Sequence, residues 1–139
     1  MYNWNWGILL QTSADGQHTW LTTLFIGLGW TLVTALCAGV IAIVLGSVIG
    51  VIRTTPHKWL VRLGNAYVEL FRNIPLLVQL FLWYFVLPEV VPKGFGDLLK
   101  SMPPPWGSFV PAVIGLGFFT SARVAEQVRA GIQSLPRGQ

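Results

Sequence analysis

The sequence predicts an all-α, polytopic membrane protein with three transmembrane helices in this chain, and three observations carry that prediction. Of 139 residues, 53% are hydrophobic and only 10% charged, at a mean hydropathy of +0.61. That leaves too few polar side chains to cover a soluble domain of this length. The apolar residues fall in long unbroken runs rather than in the alternation of a half-buried strand. The basic residues gather between and after those runs, where cytoplasmic flanks keep positive charge.

The first run, 21–52, holds thirty-two residues without a charge. Roughly 20 suffice to cross the hydrocarbon at about 1.5 Å per residue, so this helix must tilt or project beyond the bilayer. The segment before it, 1–20, contains no Lys or Arg and a single acid, Asp15. A secretory leader begins with a positively charged region, so the first run is expected to stay in the protein, with 1–20 as an external N-terminal segment.

Residues 53–73 form a cytoplasmic connector that reads as an amphipathic helix after Pro56. Trp59, Leu60, Leu63, Tyr67 and Leu70 fall on one side, and Lys58, Arg62, Asn65 and Glu69 on the other. Glu69 and Arg72 are spaced either for a local ion pair or as separate solvated charges. The second span, 74–91, is interrupted by Pro88 and Glu89. Near its start Pro75 removes a backbone donor and either sets a structural kink or restarts the helix. Pro92, Gly94, Gly96 and the Pro103–Pro105 triplet mark 92–105 as an external, aqueous loop. The third span, 106–130, is uncharged as far as Ala122 and then carries Arg123, Glu126 and Arg129. Gly131 and Pro136 are expected to break it and to deliver 131–139 to the cytoplasm.

Orientation follows from the basic residues. Seven lie in the connector and the C-terminal flank, and two, Lys93 and Lys100, lie in the loop between the second and third spans. The reading is N-terminus outside and C-terminal tail inside.

Ala38, Ala42, Gly46 and Gly50 recur every fourth residue along the first span. Such a stripe lets another backbone approach closely, and it marks a helix-packing face. No catalytic grouping is visible: His18 and His57 are isolated, and there is no metal-ligand spacing and no Gly-rich phosphate loop. Cys37 is the single cysteine, so the chain offers neither a disulfide nor a thiolate metal site. An enzyme is not expected, no cofactor or metal is called for, and any energy for work across the membrane must come from a partner or an ion gradient. The basic residues are too scattered to make a nucleic-acid face.

Two segments carry a family resemblance. Tyr67-Val-Glu-Leu-Phe-Arg-Asn-Ile-Pro-Leu-Leu-Val-Gln-Leu80 resembles the start of the second core helix in the permeases of ABC importers for polar amino acids. Ala122-Arg-Val-Ala-Glu-Gln-Val-Arg-Ala-Gly-Ile-Gln-Ser-Leu-Pro-Arg-Gly-Gln139 resembles that family's third helix running into its cytoplasmic coupling segment. With Asn3-Trp-Asn-Trp-Gly7, the likeness is greatest to the glutamate/aspartate branch. The resemblance implies a five-span subunit of the type I importer fold in a bacterial inner membrane. It implies pairing with a second, homologous or identical permease, a dimer of cytoplasmic ATP-binding subunits that hydrolyses ATP, and an external amino-acid-binding protein. It also implies that Ile132, Gln133, Ser134, Leu135, Pro136, Arg137, Gly138 and Gln139 begin the contact with the ATP-binding subunit.

In the family the coupling segment continues into a further helix and two more spans, whereas this chain stops at Gln139. It is therefore expected to be a piece of a longer permease or a truncated product inactive alone. Many members carry an aromatic residue where this chain has Arg123. An ionisable side chain within a span costs about 2.5–3.5 kcal/mol on insertion scales and marks a functional position. A guanidinium matches a carboxylate bidentately, so Arg123 is the candidate contact to an acidic substrate, with Gln127 one turn on as its neighbour. The competing role for Arg123 is a pair with Glu126, or snorkelling to the inner surface. For the whole chain, the competing readings are a small membrane interaction or assembly protein, or an ion-coupled carrier. The tail from Ile132 onward favours the permease over the docking protein, and three spans leave no room for a carrier's inverted repeat.

Overall fold

The computed structural model describes residues 1–136 and 138. They are helical apart from turns and one isolated bridge between Thr12 and Thr19, and they divide into two units, Met1–Thr34 and Ala35–Gln139.

The first unit opens with a 3-10 helix, Trp6–Leu10, and closes a small polar loop before helix α1 (Trp20–Ile52) begins. Asp15 organises that loop. Its Oδ1 accepts from the Ser13 hydroxyl at 2.7 Å and from the backbone amides of Gln17 and His18 at 2.9 and 3.0 Å. Its Oδ2 meets His18 Nδ1 at 2.8 Å. These donors, the Ser13 hydroxyl foremost, hold the Asp15 carboxyl well below the usual carboxylate range.

The second unit contains the rest of α1, then α2 (Lys58–Asn73), α3 (Leu76–Phe81), a π turn (Leu82–Val86), α4 (Leu87–Val90), α5 (Lys93–Ser101) and α6 (Trp106–Ser134). Its centre is the contact of α1 and α2 with α6. Ala38, Ala42, Gly46 and Gly50 form the buried stripe of α1. The absence of side chains at Gly46 and Gly50 is what permits the approach. A Cβ at Gly46 would lie 2.6 Å from Val124 Cβ, and one at Gly50 would lie 2.7 Å from Val128 Cβ. Ile49, Val68, Ala122 and Ala125 make the small buried core, with Leu45, Tyr67 and Phe71 packed against it. Most other large apolar side chains of α1, such as Leu36, Val40 and Ile43, are exposed. Lipid or further helices must cover them.

The amphipathic connector is helical, but its buried face is centred on Gly64 and Val68, with Tyr67 and Phe71 half-buried. Trp59, Leu63 and Leu70, from the apolar side of that helix, are exposed. The neighbour here is the slim, small-residue surface of α1 and α6, which accepts the narrow side of the helix. Helix α2 then stops at Asn73, Ile74 and Pro75 are extended, and the chain restarts 101° away. Of the two outcomes expected at Pro75, the helix restarts there rather than kinking within one continuous helix. The π turn has its own cause. Pro88 has no N–H to give Tyr84 and its ring would crowd that carbonyl, so the preceding turn widens and the Leu87 amide reaches back to the Leu82 oxygen.

Two expectations are corrected. Residues 92–105 are not loop throughout, because α5 occupies Lys93–Ser101. Pro92 sits outside that helix and its carbonyl accepts from Phe95 and Gly96, so the proline starts a helix rather than ending one. Gly96 is packed against the Pro88 carbonyl, and Lys100 reaches Glu89 at 2.6 Å. The third long helix does not break at Gly131. It continues to Ser134, and Leu135 is extended because the residue before a proline is pushed from the helical region. By length and composition α1 and α6 can each cross a membrane, and the bent pair made of α2 and Leu76–Val90 adds a third span if it counts as one.

Candidate functional site

Polar chemistry in the second unit converges where the ends of α1 and α2 meet α6. Arg53 follows the last residue of α1 and is only 6% exposed. Its Nε donates to Asn65 Oδ1 on α2 at 2.7 Å, and its Nη2 meets Glu126 Oε1 on α6 at 3.0 Å. Arg72, in the last turn of α2, reaches the same Glu126 oxygen at 3.4 Å. One carboxylate therefore ties three helices. Asn65 and Glu126 are what make a nearly buried guanidinium tolerable at the Arg53 position.

Arg123 lies one turn before Glu126 on α6. Its guanidinium sits over the Phe119 ring, 3.8 Å from the centroid, and Nη1 donates to the Phe119 carbonyl at 3.4 Å. The Arg123–Glu126 pair does not form, because Glu126 is turned toward Arg53 and Arg72. Nor does Glu69 pair with Arg72 among the described residues, since Arg72 faces α6 instead. Arg72, Arg123 and Glu126 line an open depression of about 430 Å³. Gln127 is exposed and no hydrogen bond joins it to Arg123 among the described residues. It is not among the residues that line the depression.

The bend beside this junction is held by a residue that pattern reading passed over. Gln79 is 2% exposed, and its Nε2 donates to the Phe71 carbonyl at 2.9 Å and the Ile74 carbonyl at 2.8 Å. Carbonyls orphaned where α2 ends are satisfied from the following helix. Above it, Phe118 on α6 stacks on Phe71 and on Trp83, with centroids 5.6 and 5.2 Å apart. Tyr67 Oη and Ser121 Oγ are 2.6 Å apart, and since the Ser121 hydroxyl donates to the Phe118 carbonyl at 2.7 Å, Tyr67 is the donor to Ser121. A lone amide in an apolar run, four residues after Pro75, was the available signal for Gln79. Nothing in sequence spacing links Arg53 to Glu126.

In the predicted coupling stretch, Ile132, Gln133 and Ser134 form the last turn of α6 and are exposed, as are Leu135 and Pro136 beyond it. Gly138 has a positive φ of 116°. Arg137 and Gln139 lie outside the described residues. Among the described residues no group of three metal-ligating side chains forms.

Long apolar helices, small-residue packing and an ionic junction beside a broken helix define the class: a polytopic α-helical membrane protein. Residues 42–139 match the model of the family described as the binding-protein-dependent transport system inner membrane component. The chain belongs to that family. It is 49% identical over 138 residues to the glutamate/aspartate import permease protein GltJ of Escherichia coli K12, covering 99% of this chain and 56% of that protein. It is 32% identical over 139 residues to the glutamate/aspartate import permease protein GltK of Escherichia coli O6:H1, across 100% of this chain and 57% of that one. It is 43% identical over 108 residues to the probable glutamine ABC transporter permease protein GlnM of Bacillus subtilis 168, across 75% and 44%. The chain spans about half the length of these curated relatives. No solved structure matches it.

Proposed function

We propose that this chain supplies part of the translocation path of an ATP-driven importer of polar amino acids, with glutamate and aspartate as its substrates. The observation that carries the reading is the 49% identity along 99% of the chain to a glutamate/aspartate import permease. The surplus of guanidinium over carboxylate at the depression lined by Arg72, Arg123 and Glu126 supports an acidic substrate. In this reading the chain sits in a bacterial inner membrane with its N-terminus outside. A second permease subunit completes the path, two ATP-binding subunits drive it from the cytoplasm, and a binding protein delivers the amino acid. The exposed Ile132 and Leu135 at the end of α6, with Gln133, Ser134, Pro136, Arg137, Gly138 and Gln139, begin the contact with the ATP-binding subunit. Ala38, Ala42, Gly46 and Gly50 fasten α1 to α6 within the path, and Pro75 sets the bend.

The test is uptake of labelled glutamate and aspartate in the source bacterium, with and without a deletion of the gene encoding this chain. Uptake should fall on deletion, return on complementation, and stop when ATP is depleted while the ion gradient is held. Persistence under ATP depletion would defeat the ATP-driven reading, and unchanged uptake on deletion would defeat the substrate.

A further inference from the structure

The depression between α2 and α6 carries two guanidiniums, from Arg72 and Arg123, and one carboxylate, from Glu126. An acidic amino acid carries the opposite set: two carboxylates and one ammonium. We infer that Arg72, Glu126 and Arg123 form a substrate-reading triad in which Arg72 takes the α-carboxylate, Glu126 the α-ammonium and Arg123 the side-chain carboxylate; this rests on the amino-acid-importer reading.

The roles follow from how each group is held. Arg72 and Glu126 already make a carboxylate–guanidinium contact at 3.4 Å with each other, with side chains 54% and 36% exposed. The zwitterionic end of an amino acid can exchange into that pair without leaving either charge alone, replacing one ion pair by two. Arg53 is the positioning residue. It is buried, is anchored to Asn65, and holds Glu126 Oε1 at 3.0 Å, so the carboxylate stays in place when Arg72 turns to the ligand. Arg123 is held by the Phe119 ring and carbonyl, and no carboxylate lies within 4.0 Å of it among the described residues. Its charge is the one left for a substrate to neutralise, and an amide in place of the side-chain carboxylate forfeits that pairing. About 430 Å³ falls within the range of roughly 300–1,000 Å³ usual for small-molecule sites.

The separation of roles gives a ligand series that needs no variant. In the full-length permease complex with its ATP-binding subunits, in nanodiscs without binding protein, labelled L-glutamate should be displaced by L-aspartate. L-glutamine lacks the second carboxylate and glutarate lacks the ammonium, so each should compete at least about tenfold less well. Arg123→Gln should abolish the preference for glutamate over glutamine while leaving the amount of assembled complex unchanged. Arg123→Lys should restore part of it. Selectivity unchanged in Arg123→Gln, or glutarate competing as well as glutamate, overturns the triad while leaving the importer reading standing if deletion of the gene still lowers glutamate uptake by the cells. No glutamate binding by the unsubstituted complex, together with cellular glutamate uptake unchanged on deletion of the gene, overturns the two together.

Discussion

Replacing Gly46 by alanine tests the packing of α1 on α6 with a single methyl group. The added Cβ would lie 2.6 Å from Val124 Cβ and 2.7 Å from the Ser121 backbone oxygen. Carbon atoms in good contact sit about 3.5–4.0 Å apart, so the helices must separate by roughly 1 Å. One of the obstructing atoms is backbone and cannot swing aside. The expected cost is about 1–3 kcal/mol, the range for overpacking a close-packed interior. Gly39, on the same helix, has nothing within 4 Å of a built Cβ. There the same substitution should be neutral or gain up to about 1 kcal/mol from helix propensity. Thermal unfolding of the purified full-length protein in one detergent, for both variants beside the parent, gives the comparison. If Gly46→Ala and Gly39→Ala shift the midpoint equally, close approach of α1 to α6 is not what the small-residue stripe provides.

Three further outcomes follow from the polar contacts. Gln79→Leu orphans the Phe71 and Ile74 carbonyls and should destabilise the bend by about 1–3 kcal/mol, read as faster amide exchange at residues 71–79. Glu126→Gln strands the buried Arg53 charge, and the loss should approach the roughly 3–5 kcal/mol of a broken buried pair, reduced because Glu126 is itself 36% exposed. Pairing it with Arg53→Met should recover most of that loss in thermal unfolding. In the N-terminal loop, a carboxyl whose folded-state pKa is depressed stabilises above its usual value near 3.9 and ceases to do so as pH falls through the lowered one. The Gln17 amide should therefore keep its protection from hydrogen exchange at pH 4 and lose it only under stronger acid, whereas Asp15→Asn should show reduced protection at every pH.

How far sequence reached differs between the apolar and the charged residues. The stripe at Ala38, Ala42, Gly46 and Gly50 was legible because helical periodicity fixes which residues share a face whatever their partner. That α6 is the partner was not legible, since no local pattern encodes which surface fills the groove. Arg123 was visible as an ionisable residue in an apolar helix. Its supposed partners were drawn from its own helix, where spacing can be counted, and Glu126 instead turns to Arg53 and Arg72, which lie far away in sequence. Pro92 and Gly96 misled because a proline just before a helix and a glycine under a crossing carbonyl look, in one dimension, like loop residues.

Hydrophobic runs determined by themselves that this is a polytopic membrane chain, and the resemblance of the Tyr67–Leu80 and Ala122–Gln139 segments pointed to the permease family. Partition into lipid depends on composition over some twenty residues and needs no long-range contact. Only the tertiary structure decided that Arg53, Arg72 and Glu126 share one oxygen and that Gln79 staples the 101° bend. Charges and orphaned carbonyls in a low-dielectric interior must find partners within about 3 Å, and which partners stand that close is a property of how helices cross.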